Sequence, residues 1–481
     1  MRERRPTHFV LFLFTISSLL VCYLLFSDQG LAISKLTINF TRSDSSASEV
    51  PTSDQSTFVT RSGSSLMLGR YKFRFSGPNI YWLGLLKTVN GIDYPSQFEV
   101  DDAMATAAEM GATVVRSHTL GISVGCKLCV EPTLGTFNQQ ALQHIDYAIQ
   151  SARNHHVKLI IPLIDNWDFY NGGKATFTTR RDLSDEHQFY TNPQVIDDFK
   201  KYINTILNHI NSYNGIAYKD DPTIMAWETG NELWAPTSWV QIISQYLKSI
   251  DSHHLVMDGN DGYSDSPLRF QQDLNIGSID IYTGHFYPPD IPLFTKQLNQ
   301  ILGAKKAYIV GEFDWNVDQG TPLHLFLPAI EHSQAAGDLY WSLFPHDDQH
   351  GFVPQGEHFT LQYPGNTPNI RSRVQELVTH AYAMQGLPVP SGEEPGQPLI
   401  TSVKRNAITW RGAYGADEYT VERSTIGAGG PWTVICNQCA TDNDTPWVDQ
   451  SRPSGSVWYR VRGYSVSGVA GAYSGVYSSA R

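Results

Sequence analysis

Two glutamates follow apolar runs that are typical of buried strands. Residues 223–230 alternate β-branched, apolar and aromatic side chains before Asn231 and Glu232, and a second apolar run ends at Glu312. An Asn-Glu pair after such a run is also common at the start of an ordinary loop or helix, so on its own it predicts little. The second glutamate, which follows a similar run, makes a functional interpretation of both more reasonable. If both runs belong to one parallel barrel, the glutamates share the face where such barrels carry their active sites. Two carboxyl groups on one rigid rim suit general acid/base and nucleophilic chemistry.

The elements that must position these glutamates alternate between strand and helix patterns. Strand-like runs occur at residues 79–84, 112–116, 158–163, 223–229, 254–258, 279–285, 307–312 and 338–343, separated by mostly helical intervals. This α/β pattern predicts a closed parallel (β/α)8 TIM barrel over residues 66–386, with a small hairpin at 66–75, rather than an open doubly wound sheet. No Gly-rich phosphate loop follows the first predicted strand, which argues against nucleotide binding.

The length and charge of the chain narrow the class of protein. The 481 residues exceed one ordinary domain and suit a barrel with a smaller second domain. The 35 basic and 47 acidic residues give a net charge of −12, which argues against nucleic acid as a partner. Aromatic residues make up 12% of the chain, and aromatic rings in a cleft offer flat faces on which sugar rings stack. A monomer is expected.

The carboxy-terminal part has a different pattern. Residues 387–398 are rich in Pro and Gly and are predicted to be a linker. Residues 399–481 contain short β-rich runs between Gly-rich turns, which predicts a small all-β sandwich domain. A domain with its own core suggests a role in spacing or adhesion, and its removal is expected to leave the chemistry of the barrel nearly unchanged.

The amino-terminal part predicts export. Residues 1–5 are basic and residues 9–26 are mostly apolar, so 1–33 is interpreted as either a cleaved signal peptide or a membrane anchor. Both alternatives place the folded part outside the cytoplasm, secreted or anchored at the cell surface. Residues 34–65, rich in Ser, Thr and Asp, are predicted to be a flexible tether. Within it, Asn39 is a glycan acceptor only if the host glycosylates such sites.

Four of the five cysteines form two CxxC pairs, Cys126 with Cys129 and Cys436 with Cys439. In an oxidising compartment each pair is expected to form a local disulfide. A zinc site shared between the two domains is the alternative. No metal or other cofactor is expected at the glutamates, because no HExxH or related ligand spacing surrounds them.

An ordered set of residues at the predicted strand ends resembles glycoside hydrolase family 5, and within it the endo-β-1,4-mannanases. The resemblance covers roughly residues 66–385. It is carried by Arg116, Asn231, Glu232, His285, Tyr287, Glu312 and Trp341, and by the strings 165–173, 189–193 and 213–222. The chain departs from mannanases at His118, Leu233 and Asp314, where those enzymes have Trp, usually Pro and often Gly. These departures suggest a rebuilt sugar subsite.

The resemblance implies a retaining glycoside hydrolase with Glu312 as nucleophile and Glu232 as acid/base, about 5 to 5.5 Å apart. It also implies that Arg116 keeps Glu312 ionised, whereas Glu232 holds its proton. The other implied substrate-binding residues are Asn231 at the sugar 2-hydroxyl, His285 and Tyr287 facing the cleft, Trp341 beneath the sugar, and Trp167 and Trp234 at flanking subsites.

The expected substrate is a β-linked polysaccharide or oligosaccharide of the mannan type, cut internally by double displacement. One alternative is an enzyme of the same clan that cleaves β-glucan or trims β-mannosides from chain ends. Another is a non-catalytic carbohydrate-binding protein of the cell surface, against which the intact Glu232 and Glu312 argue. Residues 399–481 resemble a fibronectin type III module through the strings 408–410, 419–421 and 459–461.

Overall fold

The computed structural model describes residues 56–261, 267–316, 319–355 and 358–479. The predicted signal peptide or anchor at 1–33, the possible glycan acceptor Asn39 and most of the predicted tether lie outside these described residues. Within the described ranges, none of the helices combines the length and the apolar character needed to cross a lipid bilayer.

Eight parallel strands form a closed barrel. The strands up to residue 341 are β1 (Val59–Ser62), β2 (Ser65–Leu68), β3 (Tyr71–Phe73), β4 (Phe75–Asn79), β5 (Leu86–Thr88), β6 (Gly91–Asp93), β7 (Val114–Arg116), β8 (Lys158–Pro162), β9 (Ile224–Glu228), β10 (Leu255–Asp261), β11 (Ile281–Phe286), β12 (Ala307–Asp314) and β13 (Gly337–Trp341). In the barrel, β4 is followed by β7 to β13 in order, and β13 pairs with β4. The predicted TIM barrel is confirmed.

Helices alternate with the barrel strands and pack their apolar faces against them. They are α1 (Gln97–Glu109), α2 (Gln139–Asn154), α3 (Lys174–Thr179), α4 (Gln188–Thr191), α5 (Pro193–Asn208), α6 (Thr237–Ile250), α7 (Pro267–Asp273), α8 (Ile291–Gly303), α9 (Leu323–Glu331) and α10 (Pro368–Gln385). Their ends follow sequence signals: Ser96 and Glu99 form a capping box at the start of α1, and Gly386 ends α10 with a φ of 71°. The ring of helices leaves the carboxyl ends of the strands as one rigid rim.

The first barrel strand lies earlier than the sequence predicts. The prediction of a strand at 79–84 is wrong, because β4 ends at Asn79 and residues 81–84 form turns that bury Trp82. A Cβ on Gly77 would lie only 2.0 Å from the carbonyl oxygen of Val114, so β4 needs a glycine to pack beside β7. Because Gly77 and Pro78 are uncommon inside strands, β4 does not have the pattern of a strand in the sequence. The apolar run after it packs in the core instead.

A three-stranded antiparallel sheet of β1, β2 and β3 packs against the barrel interior at the amino-terminal ends of the strands. The predicted hairpin corresponds to β2 and β3. β1 lies inside the stretch predicted to be a tether. It pairs with β2, and its Val59 is buried in the same apolar cluster as Leu66. The prediction of a flexible tether is therefore wrong for residues 59–65.

Beyond residue 398 the chain forms two antiparallel sheets. The strands are β14 (Leu399–Lys404), β15 (Ala407–Arg411), β16 (Glu418–Ser424), β17 (Thr433–Ala440), β18 (Trp447–Val448), β19 (Val457–Tyr464), β20 (Ala470–Tyr473) and β21 (Tyr477–Ser479). One sheet contains β14, β15 and β18, and the other contains the remaining five strands. The sheets share a core around Trp410, Tyr419 and Tyr459, which confirms the predicted all-β sandwich. The predicted linker, 387–398, contains neither helix nor strand.

The sandwich is docked on the barrel. The buried imidazole of His346, in the loop after β13, lies 2.9 Å from Asp102 of α1 and 3.1 Å from Asp442 of the sandwich. The guanidinium of Arg411 lies over the ring of Phe98, 3.7 Å from its centroid. These contacts argue against the expectation that the second domain is independent of the barrel.

Candidate active site

The carboxyl ends of the barrel strands bring most of the predicted polar residues into one cleft. The residues at or directly after these strand ends are Arg116 of β7, Asn231 and Glu232 after β9, His285 and Tyr287 at β11, Glu312 of β12 and Trp341 of β13. Because neighbouring strands end side by side, residues far apart in the sequence meet here.

The two predicted catalytic glutamates face each other across the cleft. One carboxylate oxygen of Glu232, one of Glu312 and a ring nitrogen of His285 all lie within 4.8 Å of one another. This spacing is close to the roughly 5 to 5.5 Å between the carboxyl groups of retaining glycosidases and shorter than the roughly 6.5 to 9.5 Å of inverting ones. A separation of this size suits a carboxylate that attacks the sugar itself rather than one that activates a water molecule.

Donors that favour the charged form surround Glu312. Arg116 Nη1 donates a hydrogen bond to Oε1 at 2.8 Å, and the Tyr287 hydroxyl donates to Oε2 at 2.9 Å. Burial raises the pKa of Glu312, but the charge of His285, the contact with His118 and the charge of Arg116 together outweigh burial and hold this pKa well below its usual range. Glu312 is therefore an anion throughout the neutral pH range.

Arg116 is fully buried and is itself held by a carboxylate that the sequence analysis missed. Its Nε and Nη2 donate to the two oxygens of Glu228 at 2.7 and 3.0 Å, and Nη2 also donates to Asn231 Oδ1 at 2.8 Å. Such a two-pronged pair fixes the guanidinium plane. The available signal was a charged residue, Glu228, at the end of an otherwise apolar strand.

Glu232 has surroundings of a different kind. Its φ of 49° lies in the left-handed region, which is uncommon for a residue with a Cβ and is often found at functional sites. Its oxygens lie 2.9 Å from His285 Nδ1 and 2.6 Å from Trp167 Nε1. Burial raises the pKa of Glu232, but the hydrogen bond and charge of His285 and the hydrogen bond from Trp167 together outweigh burial, so this pKa lies below its usual value. The expectation that Glu232 holds its own proton is not met in the free site.

His285 carries the proton instead. Burial lowers the pKa of His285, but the charge of Glu312 and the hydrogen bond to Glu232 raise it to about 9. At neutral pH the ring is therefore an imidazolium, and its Nδ1 donates to Glu232. His285 Nδ1 thus lies 2.9 Å from Glu232 and 3.6 Å from Glu312, and Tyr287 contacts Glu312.

Trp341 forms an aromatic floor together with a residue that the sequence analysis did not select. Its ring stacks on Tyr81 with centroids 5.0 Å apart and planes 7° from parallel. Both rings line a cavity of about 450 Å³, along with His118 and Asn171. Tyr81 belongs to the apolar run after β4, so nothing in the sequence separated it from core residues.

Trp167 and Trp234 lie on the side of Glu232. Their rings are 5.8 Å apart and nearly perpendicular, and 42% and 44% of their surfaces are exposed. Trp167 also donates to Glu232, so an exposed aromatic surface begins at the acid/base candidate itself. Exposed rings of this kind are typical of sugar-binding surfaces rather than of a core.

The four predicted disulfide cysteines lie in two local pairs. Cys126 is bonded to Cys129 in the loop between β7 and α2, and Cys436 is bonded to Cys439 in β17. Because each pair is closed as a disulfide, its sulfurs are not free thiolates for a metal, which argues against the zinc alternative.

Comparison with known proteins gives the family. Residues 56–327, more than half of the chain, match the family model described as GH family 5 beta-mannosidase-like. The chain is 30% identical to mannan endo-1,4-beta-mannosidase 7 of Arabidopsis thaliana over 376 residues, covering 67% of this chain and 85% of that protein. It is 32% identical to putative mannan endo-1,4-beta-mannosidase 4 of the same plant over 232 residues, covering 45% of this chain and spanning just 55% of that relative.

A solved structure agrees with this assignment. The endo-1,4-beta-mannanase from Rhizomucor miehei superposes with a TM-score of 0.59 at 27% sequence identity, covering 69% of this chain and 100% of that one. The barrel, the strand-end residues and the sequence matches lead to the same conclusion. The chain belongs to glycoside hydrolase family 5, in its β-mannosidase-like group.

Proposed function

We propose that the protein is a retaining glycoside hydrolase that cleaves internal β-1,4-mannosidic bonds of mannan-type polysaccharides by double displacement. The observation that carries this proposal is the Glu232–Glu312 pair, whose carboxylates approach within 4.8 Å, with Glu312 held ionised. The relatives named as mannan endo-1,4-beta-mannosidases support the substrate class.

In the first displacement, Glu312 attacks the anomeric carbon while the glycosidic bond breaks and its oxygen takes a proton from Glu232. Arg116 and Tyr287 hold the two oxygens of Glu312, so the carboxylate is already oriented when a sugar arrives. The product of this step is a glycosyl ester on Glu312.

The proton on His285 supplies the acid. As negative charge develops on the leaving oxygen, Glu232 takes the proton of His285 Nδ1, which lies 2.9 Å away, and passes a proton to the leaving group. In the second displacement, water attacks the ester, Glu232 takes a proton from that water, and His285 is protonated again. The pair ends the cycle in its starting state.

Asn231 and Trp341 hold the sugar at the point of cleavage. Asn231 Oδ1 accepts from Arg116, and one amide hydrogen of Nδ2 is directed to Asp165 at 3.2 Å, which leaves the second hydrogen for the sugar 2-hydroxyl. Trp341 provides the floor beneath the ring. Trp167 and Trp234, beside the acid, bind the sugars of the leaving chain.

Exo-acting release of mannosides is the second candidate, because the family model is described as β-mannosidase-like. The relatives named as mannan endo-1,4-beta-mannosidases favour internal cleavage instead. The intact catalytic pair argues against a purely carbohydrate-binding role.

We also propose that the sandwich is a fibronectin type III-like module, and that the protein acts as a monomer outside the cytoplasm, secreted or anchored through its amino-terminal segment. Two antiparallel sheets around Trp410 and Tyr419 support the first point. The apolar run at 9–26 and the two local disulfides support the second.

The test is to incubate the purified protein with mannan, glucomannan, xylan and β-glucan and to size the products over time. We expect mixed manno-oligosaccharides at early times, whereas mannose alone from the start would favour exo action. The matched controls are Glu312→Gln, expected to be inactive, and Glu394→Gln at an exposed position of the linker, expected to match the wild type. No reducing ends from any polysaccharide would contradict the proposed function.

A further inference from the structure

The cavity at Trp341 lies on the side of the nucleophile. Its lining includes Trp341, Tyr81 and His118, and Nε2 of His118 lies 3.6 Å from Oε1 of Glu312. The leaving chain binds beside Glu232, because the acid protonates the leaving oxygen. This first cavity, of about 450 Å³, therefore holds the glycone side of the substrate, the part of the chain that stays on Glu312 as the ester.

A second cavity, of about 730 Å³, lies beside the first. Phe169 and Tyr170, in the loop after β8, line both cavities, so the two cavities meet at these residues. Both volumes fall within the range of about 300–1,000 Å³ that is usual for ligand sites. The double displacement uses residues of the first cavity, whereas none of its steps uses the second.

Phe169 is exposed where the two cavities meet. The exposed fraction of this residue is 59%, which is larger than that of Trp167 or Trp234. A phenyl ring offers a flat apolar face on which the apolar face of a sugar ring can stack. An exposed ring that lines two joined cavities is more typical of a binding surface than of a core.

The turn that carries Phe169 is firmly held. The backbone nitrogen of Gly172 donates to the carbonyl oxygen of Phe169 at 2.9 Å. Gly172 has a φ of 82°, and a Cβ there would lie 2.1 Å from the carbonyl oxygen of Val124, so the turn packs directly on the loop after β7. The Tyr170 hydroxyl donates to a backbone carbonyl of the loop after β4 at 2.9 Å. A ring on such a turn loses little conformational freedom when a sugar binds.

The walls of the second cavity offer both apolar and polar contacts. They include the apolar side chains of Pro132 and Leu134 and the exposed hydroxyl groups of Thr133 and Thr179. Asp168 is also exposed, and it lines the second cavity but not the first. Apolar surface with a few polar groups suits a sugar, which has apolar ring faces and hydroxyl edges.

The charges around the second cavity argue against an anionic ligand. Arg180 is the basic residue of its lining, and it is already paired. Its Nη1 donates to the carboxylate of Glu131 and its Nη2 to the carbonyl oxygen of the same residue. Asp168 adds a negative charge to the wall. A neutral sugar chain therefore fits this cavity better than a sulfated or acidic one.

We propose that Phe169 is a sugar-stacking platform that binds the glycone side of the substrate where the chain passes from the first cavity into the second. This inference rests on the proposed function and adds distal subsites to it. Binding energy from sugars far from the cleaved bond helps to hold the reacting sugar in place, so long chains should be cleaved more efficiently than short ones.

The first test uses a series of aryl β-manno-oligosaccharides of increasing length, in which the leaving group is constant and only the glycone side grows. We expect kcat/KM of the wild type to rise up to the longest members. Phe169→Ala should lower kcat/KM of the longest member about three- to tenfold relative to that of the shortest, as expected for one lost aromatic contact. Phe169→Tyr, which keeps the ring, should retain the wild-type profile. A Phe169→Ala profile parallel to that of the wild type would overturn the proposal.

Asp168→Ala tests entry into the second cavity separately. We expect a loss of about two- to tenfold in kcat/KM for the longest members relative to the shortest, as for one lost hydrogen bond. Tyr213→Ala is the matched control, because Tyr213 is half exposed in the loop before β9 and lines neither cavity. It should match the wild type at every length. If Asp168→Ala matched it too, the chain would not enter the second cavity and the proposed path would be wrong.

Binding measurements distinguish this inference from the proposed function. In the Glu312→Gln background, manno-oligosaccharides can be titrated by calorimetry without being cleaved. Adding Phe169→Ala should weaken the binding of the longest oligosaccharide about three- to tenfold. If the wild type cleaves no oligosaccharide but this difference is found, the proposed function fails and the platform is supported. Cleavage by the wild type with equal binding in both backgrounds would contradict the platform alone, and no binding of any oligosaccharide would contradict both.

Discussion

At the scale of single residues, the two glutamates differ in what surrounds them. Glu312 receives donors from Arg116 and Tyr287 and stays charged, whereas Glu232 shares a proton with His285. The sequence alone yields the pair but not this division, because each partner comes from a different strand. Arg116 and His285 were predicted from family resemblance. The counter-ion Glu228 was not, since its role depends on distances that only the folded barrel creates.

Removing each glutamate should open a different face of the sugar to azide. With Glu312→Ala and an activated aryl β-mannoside, azide enters the space of the nucleophile and displaces the leaving group once, which gives an α-configured glycosyl azide. With Glu232→Ala, the ester on Glu312 still forms and azide attacks it from the other face, which gives the β-azide. Proton NMR of the products reads the anomeric configuration. Both variants should lose several orders of magnitude on polysaccharide.

Reversed anomers would exchange the roles of Glu312 and Glu232. A variant with near-native turnover on polysaccharide would show that the catalytic pair lies elsewhere. Glu394→Gln, on the exposed linker, should form no glycosyl azide above the wild-type level and serves as the control.

The loss of activity at alkaline pH should follow the deprotonation of His285. The pKa of its ring is raised to about 9, so the proton that Glu232 needs is present below this pH and is lost above it. We therefore expect kcat/KM to fall as the pH rises through about 9, measured on a soluble oligosaccharide. His285→Asn should be slow and should lack this fall, whereas His324→Asn, exposed on α9, should keep it. If kcat/KM of His285→Asn fell over the same pH range as in the wild type, the titrating group would not be His285.

At the scale of elements, the sequence predicted strands with clear apolar patterns and failed where packing overrides pattern. β9 and β12 were recognised because uninterrupted apolar runs end in polar residues. β4 was missed because Gly77 and Pro78 are poor strand residues that the close packing of β4 and β7 requires. β1 was read as part of a tether because one buried residue, Val59, gives no periodic signal.

Gly77→Ala should therefore destabilise the barrel. The new Cβ would lie 2.0 Å from the Val114 carbonyl oxygen, so β4 and β7 must separate. We expect a loss of about 1–3 kcal/mol or more in the free energy of unfolding, measured by chemical denaturation. Gly427→Ala, whose Cβ would meet nothing within 4 Å, is the matched control and should change little. Equal stability of both variants would mean that β4 can shift without cost.

At the scale of the whole molecule, the second domain is part of the architecture around the cleft. The loop after β13 leads from Trp341 to His346, which bridges Asp102 of the barrel and Asp442 of the sandwich. Farther along, Phe359 packs edge-on against Tyr287, with ring centroids 5.3 Å apart. Composition predicted a linker and two cores, but it could not show that a buried histidine joins them.

The bridge should make stability fall in alkaline solution. Burial lowers the pKa of His346, but the charges of Asp102 and Asp442 raise it to about 10, above the roughly 6.5 of an unfolded histidine. The stabilisation is therefore complete below pH 6.5 and is lost as the pH rises toward 10. The free energy of unfolding of the wild type should decline over this window, and that of His346→Phe should decline less steeply, because His285 and His380, whose pKa values are raised to about 9, still contribute.

His346→Phe should also cost about 3–5 kcal/mol near neutral pH, because it leaves two buried carboxylates without their partner. His324→Phe, exposed on α9, should match the wild type at every pH. If His346→Phe were as stable as the wild type, the docking of the sandwich would not depend on this bridge.

The short path from Trp341 to His346 also matters for protein engineering. Glycosidases are often treated as cassettes in which a catalytic barrel is cut out and fused to a foreign module. In this protein the same loop carries the anchor of the sandwich five residues after the floor of the cleft, and Gln349 of that loop accepts a hydrogen bond from Thr401 of β14 at 2.9 Å. A chimera that exchanges residues 399–479 would therefore alter the substrate cleft as well as the appended domain, so the boundary for a transferable catalytic unit lies after the sandwich.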